Sequence, residues 1–252
     1  MRTGAWKTER MKLRRRHVGL LTAVFCGIGI LWGTWELGER LELCGGDGYR
    51  MLFLQLPLID TILLPTMLAM LASRLCDAEV KGGTLKLLCT MEEKGRIFDM
   101  KLLMGIGYLC LFWAAQAAAT VLFAVGMGFE VSLIPAHMLC FAAEILFPSA
   151  AVLILQVVLS FFFENQIIPL AAGLVGSFIG LFAWFFPGNP LRAAFPWGYY
   201  SLLGFIGYDW DPATRITHFY DMPFDLAMAA VLLLATVAGY AAGKYFFVRK
   251  EL

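Results

Sequence analysis

The sequence predicts an all-α integral membrane protein with six transmembrane helices, because three observations agree. Hydrophobic residues make up 60% of the 252 positions and charged residues only 15%, which is too apolar for an ordinary soluble domain. The mean hydropathy is +0.73. Six apolar runs meet or approach the roughly 20 residues that a helix needs to cross a bilayer. These runs are Val18–Trp35, Met51–Leu71, Leu102–Met127, Leu133–Phe161, Ile167–Phe186 and Pro223–Phe247.

The positions of Lys and Arg predict that both ends of the chain are cytoplasmic. Sixteen of the 20 basic residues fall in the N-terminal lead, in the connection between the second and third runs, or at the C-terminus. Basic loops stay on the cytoplasmic side of a membrane. We therefore expect a multi-pass protein of the bacterial cytoplasmic membrane. It would form a single domain over residues 1–252, with a basic lead (1–17), a cytoplasmic segment (73–101) and an extracellular loop (187–222).

Several elements carry local signals of their own. The basic lead is either a topology signal or a helix lying on the inner leaflet. The first run ends near Trp32 and Trp35 without a small-x-small cleavage site, which favours a signal anchor. The fourth run contains Pro148 and forms either one span or two shorter pieces. The loop 187–222 mixes prolines with aromatic residues and predicts short helices that dip into the outer headgroup layer.

Glycines spaced four residues apart recur within the predicted spans. Such pairs typically allow two membrane helices to approach each other closely. The contact is either within the chain or with a second copy. The pairs are Gly29 with Gly33, Gly176 with Gly180, and Gly239 with Gly243.

Polar side chains inside the spans are the usual members of a transport path. The clearest are Asp60, Gln116, Glu144 and Gln156, with His137 near an outer end. Of these, Gln116, Glu144 and Gln156 are the candidates for a transport path. The alternative, which weighs more for Glu144, is a role in packing or helix contact.

Little in the sequence favours an enzyme. The three histidines lie on different segments without metal-ligand spacing, and no serine occupies a G-x-S-x-G elbow. The stretch Gly239–Lys244 lacks the glycine spacing and the hydroxyl residue of a phosphate loop. We therefore expect no catalytic residue, no metal site, no cofactor in this chain and no nucleic-acid partner.

The segment Ser73–Lys101 is charged, yet it carries an amphipathic pattern. A helix with one apolar face can press that face into a groove on a soluble partner. A solvated loop with ion pairs is the alternative, and the inner membrane surface can also bury such a face. On a helical wheel, the apolar face holds Val80, Thr84, Leu87, Leu88 and Met91, and the opposite face holds Glu79, Lys86 and Glu93.

At residues 79–101 the chain resembles the membrane subunits of ABC-2 type transporters, the permeases of ATP-driven exporters. Six spans, one major cytoplasmic connection and a long outward loop before the last span are similar over the whole chain. Met91 and Glu93 depart from the pattern, where proline and a small hydroxyl residue are common. The matching residues, in order, are Glu79, Gly83, Thr84, Leu87, Leu88, Lys94 in place of an arginine, Ile97 and Lys101.

The resemblance implies that this segment is a coupling helix that docks on a separate ATPase dimer, which would bind ATP and Mg²⁺. It also implies a second permease subunit, identical or homologous, and the ABC-2 exporter architecture. The compact length looks most like the lantibiotic and bacteriocin immunity permeases, so the expected substrate is an antimicrobial peptide or another amphipathic molecule. The alternative function is a stand-alone membrane enzyme or a sensor subunit. The expected coupling residues are Glu79, Gly83, Thr84, Leu87, Leu88, Lys94 and Lys101.

Overall fold

The computed structural model describes residues 11, 13, 16–40, 47–81, 83–129 and 134–250. In this part of the chain, six helices are long and apolar enough to cross a membrane, which confirms the predicted fold class. These six are α1 (Val18–Arg40), α2 (Gly48–Lys81), α4 (Lys94–Gly126), α5 (Ile134–Phe162), α6 (Ile167–Phe185) and α8 (Leu226–Arg249). The short elements are α3 (Thr84–Met91), 3₁₀ helices Pro190–Ala194 and Pro196–Gly198, α7 (Tyr199–Leu202), and strands β1 (Ile206–Trp210) and β2 (Thr217–Asp221).

Several helices run past the apolar runs that predicted them. α2 continues to Lys81, and α4 begins at Lys94, just over two turns before its apolar run. Hydropathy marks the part of a helix that lies in hydrocarbon, whereas the backbone hydrogen bonds continue into the polar residues beyond. α5 is a single helix through Pro148, so the fourth apolar run forms one helix and not two shorter pieces. A proline is tolerated there because neighbouring helices pack around it.

The core of the bundle is built around α2. This helix packs against α1, α5 and α6, and side chains such as Leu64, Met67 and Leu68 have no exposed surface. α8 lies at the outside against α5 and α4, with most of its surface directed away from the chain. The central position of α2 makes it the element through which the other spans are arranged.

Contacts between distant residues bring both ends of the described chain to one end of the bundle. Arg16 and Arg74 each donate from the guanidinium to the other's backbone carbonyl, at 3.0 and 2.8 Å. The Lys94 ammonium donates to the carbonyl of Lys250 at 2.7 Å. We refer to this side as the α3 end, and to the opposite side, which carries β1 and β2, as the hairpin end.

The segment 190–205 re-enters the bundle from the hairpin end. Trp197 lies against α6 at Gly176, where even a single added carbon would overlap the indole ring. Gly176 is nine residues from the end of α6, so this contact lies about 13 Å inside. The Tyr200 hydroxyl, fully buried, is 2.7 Å from the Ser149 hydroxyl. The segment therefore goes deeper than the predicted headgroup layer, and the Gly176–Gly180 pair serves a contact within the chain.

A β-hairpin follows the re-entrant segment and was not predicted. β1 and β2 pair antiparallel, from Ile206 opposite Asp221 to Trp210 opposite Thr217. The Asp211 carboxylate caps the turn by accepting from the backbone of Ala213 and from the Thr214 hydroxyl, both at 2.8 Å. An aspartate before a proline is a typical turn signal, so the sequence does contain a mark of this hairpin.

An ion pair fastens the hairpin to the start of α2. The Arg50 guanidinium donates to both carboxylate oxygens of Asp221, at 2.8 and 3.0 Å, and to Asp47 at 2.8 Å. His137 lies 3.4 Å from the same Asp221 carboxylate. Hydrogen bonding from Arg50 lowers the pKa of Asp221 below its ordinary value. The paired carboxylate holds β2, α2 and α5 together at the hairpin end.

The packing of Trp197 on α6 predicts different outcomes for two glycine substitutions. Gly176→Ala should lower the free energy of unfolding by about 1–3 kcal/mol, because the new methyl group overpacks against the indole. The matched variant Gly239→Ala should cause no loss, because a Cβ there meets no atom within 4 Å. Thermal unfolding of the two purified variants in detergent measures this difference. Equal destabilisation by both would contradict the packing.

The Arg50–Asp221 pair predicts a pH dependence of hairpin order. Because the folded-state pKa of Asp221 is lowered, the pair stabilises the hairpin above the ordinary aspartate pKa of about 3.9 and loses its effect as the pH falls through the lowered value. Amide hydrogen exchange of residues 206–221 should therefore accelerate below about pH 4 by more than its intrinsic change. Arg50→Gln should remove this step, leaving exchange several-fold faster at pH 7, in line with about 1 kcal/mol for an exposed pair.

Candidate coupling surface and intramembrane polar groups

α3 begins with a sharp change of direction in the backbone. Gly83, its N-terminal capping residue, has φ = +60°, a left-handed conformation that glycine adopts without the strain of a side chain. α2 ends at Lys81 and α3 starts at Thr84, so the predicted amphipathic face is divided between two helices. Glu79 lies in the last turn of α2 and Thr84 opens α3. Their side chains lie outside the described structure.

The apolar residues of α3 point in two directions. Leu85 is buried in the chain's own core, and Leu88 and Cys89 are half-buried against it. Leu87 and Met91 are 63% and 75% exposed, and their i, i+4 spacing places them side by side. The structure therefore separates Leu87 from Leu88, which the sequence pattern had placed on one face. Met91 stays on the exposed surface with Leu87, as the pattern predicted.

Ion pairs and hydrogen bonds connect α3 to the start of α4. The Leu88 carbonyl accepts from the backbone N–H of Glu92 at 2.9 Å, which ends α3. The Glu92 carboxylate is 3.1 Å from the Arg96 guanidinium. α4 starts two residues after Glu92, so the link between α3 and α4 is short.

The two candidate coupling lysines lie on α4. Lys94 donates to the carbonyl of Lys250 at the end of α8. Lys101, two turns further along, is buried to 1% exposure and faces the protein interior. The positions of the two lysines suit a contribution to the placement of α4 better than direct contact with a docking partner.

A second polar cluster ties α4 to α8. The Asp99 carboxylate accepts from the Lys244 ammonium at 2.6 Å and from the Tyr240 hydroxyl at 2.7 Å. Lys244 also lies against Gly95, where a Cβ would be 3.0 Å from its side chain. These three residues were not among the sequence candidates. The signal available was a lysine and a tyrosine four residues apart on the last apolar run, a spacing that places both on one helix face.

The candidate path residues are buried but do not form one group. Gln116 on α4 donates to Asp60 on α2 at 2.8 Å. The Gln156 amide, oriented to satisfy both of its groups, donates to the Pro169 carbonyl at 3.0 Å and accepts from the Gly173 N–H at 3.2 Å. Those two groups belong to one turn of α6, so Gln156 has a structural contact that accounts for its burial.

Glu144 on α5 is different, because its carboxylate is buried without a partner. The side chain is 1% exposed, and neither oxygen finds a hydrogen bond among the described residues. It lies near the re-entrant segment, where a Cβ on Gly204 would be 3.7 Å from Oε1. Neither of the two described clefts is lined by Glu144, Gln116 or Gln156.

Comparison with protein-family models gives a match that extends from the basic lead into α6. A family model described as ABC-2 family transporter protein matches residues 5–180, which is more than half of the sequence. The chain belongs to the ABC-2 transporter family. A comparison with curated proteins finds no match.

Family membership decides the general role of this ABC-2 protein. It is a multi-pass membrane protein and a permease subunit of an ABC transporter, and the family implies ABC-transporter partners such as an ATPase. α3 and all three candidate path residues lie within the matched region. The re-entrant segment, the hairpin and α8 lie beyond it, so their features are described from this chain alone.

The contrast between Glu144 and Gln116 predicts opposite effects of the same substitution in the ABC-2 permease. Glu144→Met replaces a buried, unpartnered polar group with an apolar side chain of similar size and should raise the free energy of unfolding by about 1–3 kcal/mol. Gln116→Met removes the donor to Asp60 and should lower it by a similar amount. Thermal unfolding in detergent measures both. Destabilisation by Glu144→Met as large as that by Gln116→Met would mean that Glu144 has a partner.

Proposed function

We propose that the chain is the membrane-spanning half of an ATP-driven exporter, and that α3 docks on a separate ATPase subunit. The observation that carries this proposal is the exposed pair Leu87 and Met91 on a short helix outside the six spans. Two large apolar side chains are unfavourable in contact with water, and burial in a groove on a partner would remove this cost. Family membership supplies the class of partner.

The way α3 is held supports a mechanical role. Leu85, Leu88 and Cys89 pack the inner face of the helix against the permease, so a force on the outer face is passed to the spans. α2 and α4 are long continuous helices that start or end beside α3. A displacement of α3 would therefore tilt both helices as rigid bodies.

The contacts of α4 extend this movement to α8. Asp99 and Lys94 join the first turns of α4 to Lys244 and to the carbonyl of Lys250. In the proposed mechanism, ATP and Mg²⁺ bind to the ATPase dimer, and closure of that dimer moves α3. α2, α4 and α8 then shift together relative to the remaining spans. This opens a path formed with a second permease subunit, identical or homologous.

The proposed orientation places the α3 end in the bacterial cytoplasm. Its support is the concentration of Lys and Arg at that end, which the positive-inside rule assigns to the cytoplasm. For the substrate we propose an amphipathic molecule, with a lantibiotic-type antimicrobial peptide as the specific case. The support for that case is the resemblance of the sequence to the immunity permeases.

The docking proposal predicts the effect of one substitution on α3. Leu87→Asp should weaken binding of the ATPase about 30-fold or more, equivalent to about 2 kcal/mol, because it places a charge in the apolar contact. The matched variant Leu87→Met keeps an apolar side chain of similar volume and should bind within a few-fold of the unchanged permease. Co-purification of the tagged permease with the ATPase from the same operon, followed by titration of the two purified subunits, measures the difference.

The fold of the permease serves as the control for this experiment. Leu87 is exposed, so Leu87→Asp should leave thermal unfolding in detergent unchanged, whereas Leu85→Asp, at a buried position, should lower the melting temperature. Full ATPase binding by folded Leu87→Asp would contradict the assignment of α3 as the docking helix.

A further inference from the structure

An apolar cleft opens at the hairpin end beside α6. Its volume is about 200 Å³. The α6 residues of the wall follow i, i+3, i+4, i+7 spacing and form one face about 10 Å long, running from the end of the helix toward the middle of the bundle. These wall residues are Ile179, Phe182 and Ala183 from α6 and Phe186 directly after its end, and Asn189, Arg192 and Phe195 of the following loop also line the cleft.

Arg192 is the charged residue in the wall of this cleft. Its side chain is half-buried, and burial lowers the pKa of its guanidinium. Among the described residues, no carboxylate pairs with Arg192 and no acceptor takes a hydrogen bond from its side chain. A partly desolvated cation without an anion is unfavourable, because the water that it loses is not replaced by another partner.

Asn189 adds a second donor at the same place. Its side-chain oxygen accepts from the backbone N–H of Leu191 at 3.0 Å. This contact fixes the amide group and leaves the Nδ2 hydrogens of Asn189 directed elsewhere. The mouth of the cleft thus carries a guanidinium and an amide donor, while no carboxylate is among its lining residues.

The polar lining of the cleft comes from the loop after α6, and most of the apolar lining runs along the helix. Asn189 lies four residues past the end of α6, Arg192 lines the same cleft, and the apolar face continues inward along the helix. A molecule that matches both parts has an anionic head and an apolar tail parallel to the spans. This is the geometry of a phospholipid in the leaflet at the hairpin end.

We propose that this cleft binds an anionic phospholipid, with its phosphate on Arg192 and Asn189 and one acyl chain along the α6 face. A second apolar groove of about 400 Å³ lies on the other side of the loop, between α5 and α8, and Phe195 lines both. The second acyl chain of the same lipid has room there. The lipid would brace the re-entrant segment from outside the bundle, a role that does not depend on docking at α3.

Native mass spectrometry of the full-length chain tests the proposal. The protein is purified in detergent, incubated with equal amounts of phosphatidylglycerol and phosphatidylcholine, and the retained lipids are counted. The unchanged chain should retain phosphatidylglycerol about fivefold over phosphatidylcholine, the ratio that corresponds to about 1 kcal/mol. Arg192→Gln should bring this ratio close to one.

Two further variants separate the site from general effects. Arg215→Gln removes an exposed arginine from the hairpin turn at the same end of the bundle and should leave the ratio unchanged. Ala183→Leu fills the cleft without changing charge and should reduce retention of phosphatidylglycerol. This variant tests the site independently if Arg192→Gln fails to fold. Equal loss from Arg192→Gln and Arg215→Gln would overturn the site. So would retention of both lipids at equal levels by the unchanged chain, or binding of a second copy of the chain in place of lipid.

Discussion

In hydrocarbon, every backbone N–H and C=O needs a partner within the protein, because an unpaired group costs several kcal/mol. This constraint explains why the chain crosses the membrane as continuous helices and why α5 stays helical through Pro148. It also explains the re-entrant segment 190–205, whose irregular backbone lies deep in the bundle. That segment is covered by protein on its inner side, with Trp197 and Tyr200 buried against α6 and α5.

The same constraint shapes the proposed coupling mechanism. Since the backbone hydrogen bonds of a membrane helix are made within the helix, movement applied at its end is carried along its length. α2 ends and α4 begins next to α3, and α2 packs against four other spans. A short helix between two long ones is therefore a good place for a partner to apply force. The left-handed Gly83 on one side and the Glu92–Arg96 pair on the other define how α3 is attached.

The sequence predicted much of the fold for a physical reason. Hydrocarbon selects apolar runs of nearly constant length, so six spans were readable and are confirmed. The family, which the sequence resembles at residues 79–101, is confirmed as well. The direction of individual side chains was not readable, because it depends on packing between distant segments. Leu88 turns inward while Leu87 stays outside, because the core packs on the face of α3 that carries Leu85 and Leu88. The depth of Trp197 depends on the space that Gly176 leaves on another helix. The roles of Glu79, Thr84 and the lysines stay predictions.

Photo-crosslinking in membranes tests whether the exposed face of α3 touches the ATPase. A photoreactive amino acid would replace Leu87, and in a second protein Leu122, which is also exposed and lies on α4 near its hairpin end. Docking through α3 predicts an adduct with the ATPase from position 87 and none from position 122. An ATPase that assembles with the permease but gives no adduct from position 87, or the same yield from both positions, would contradict it.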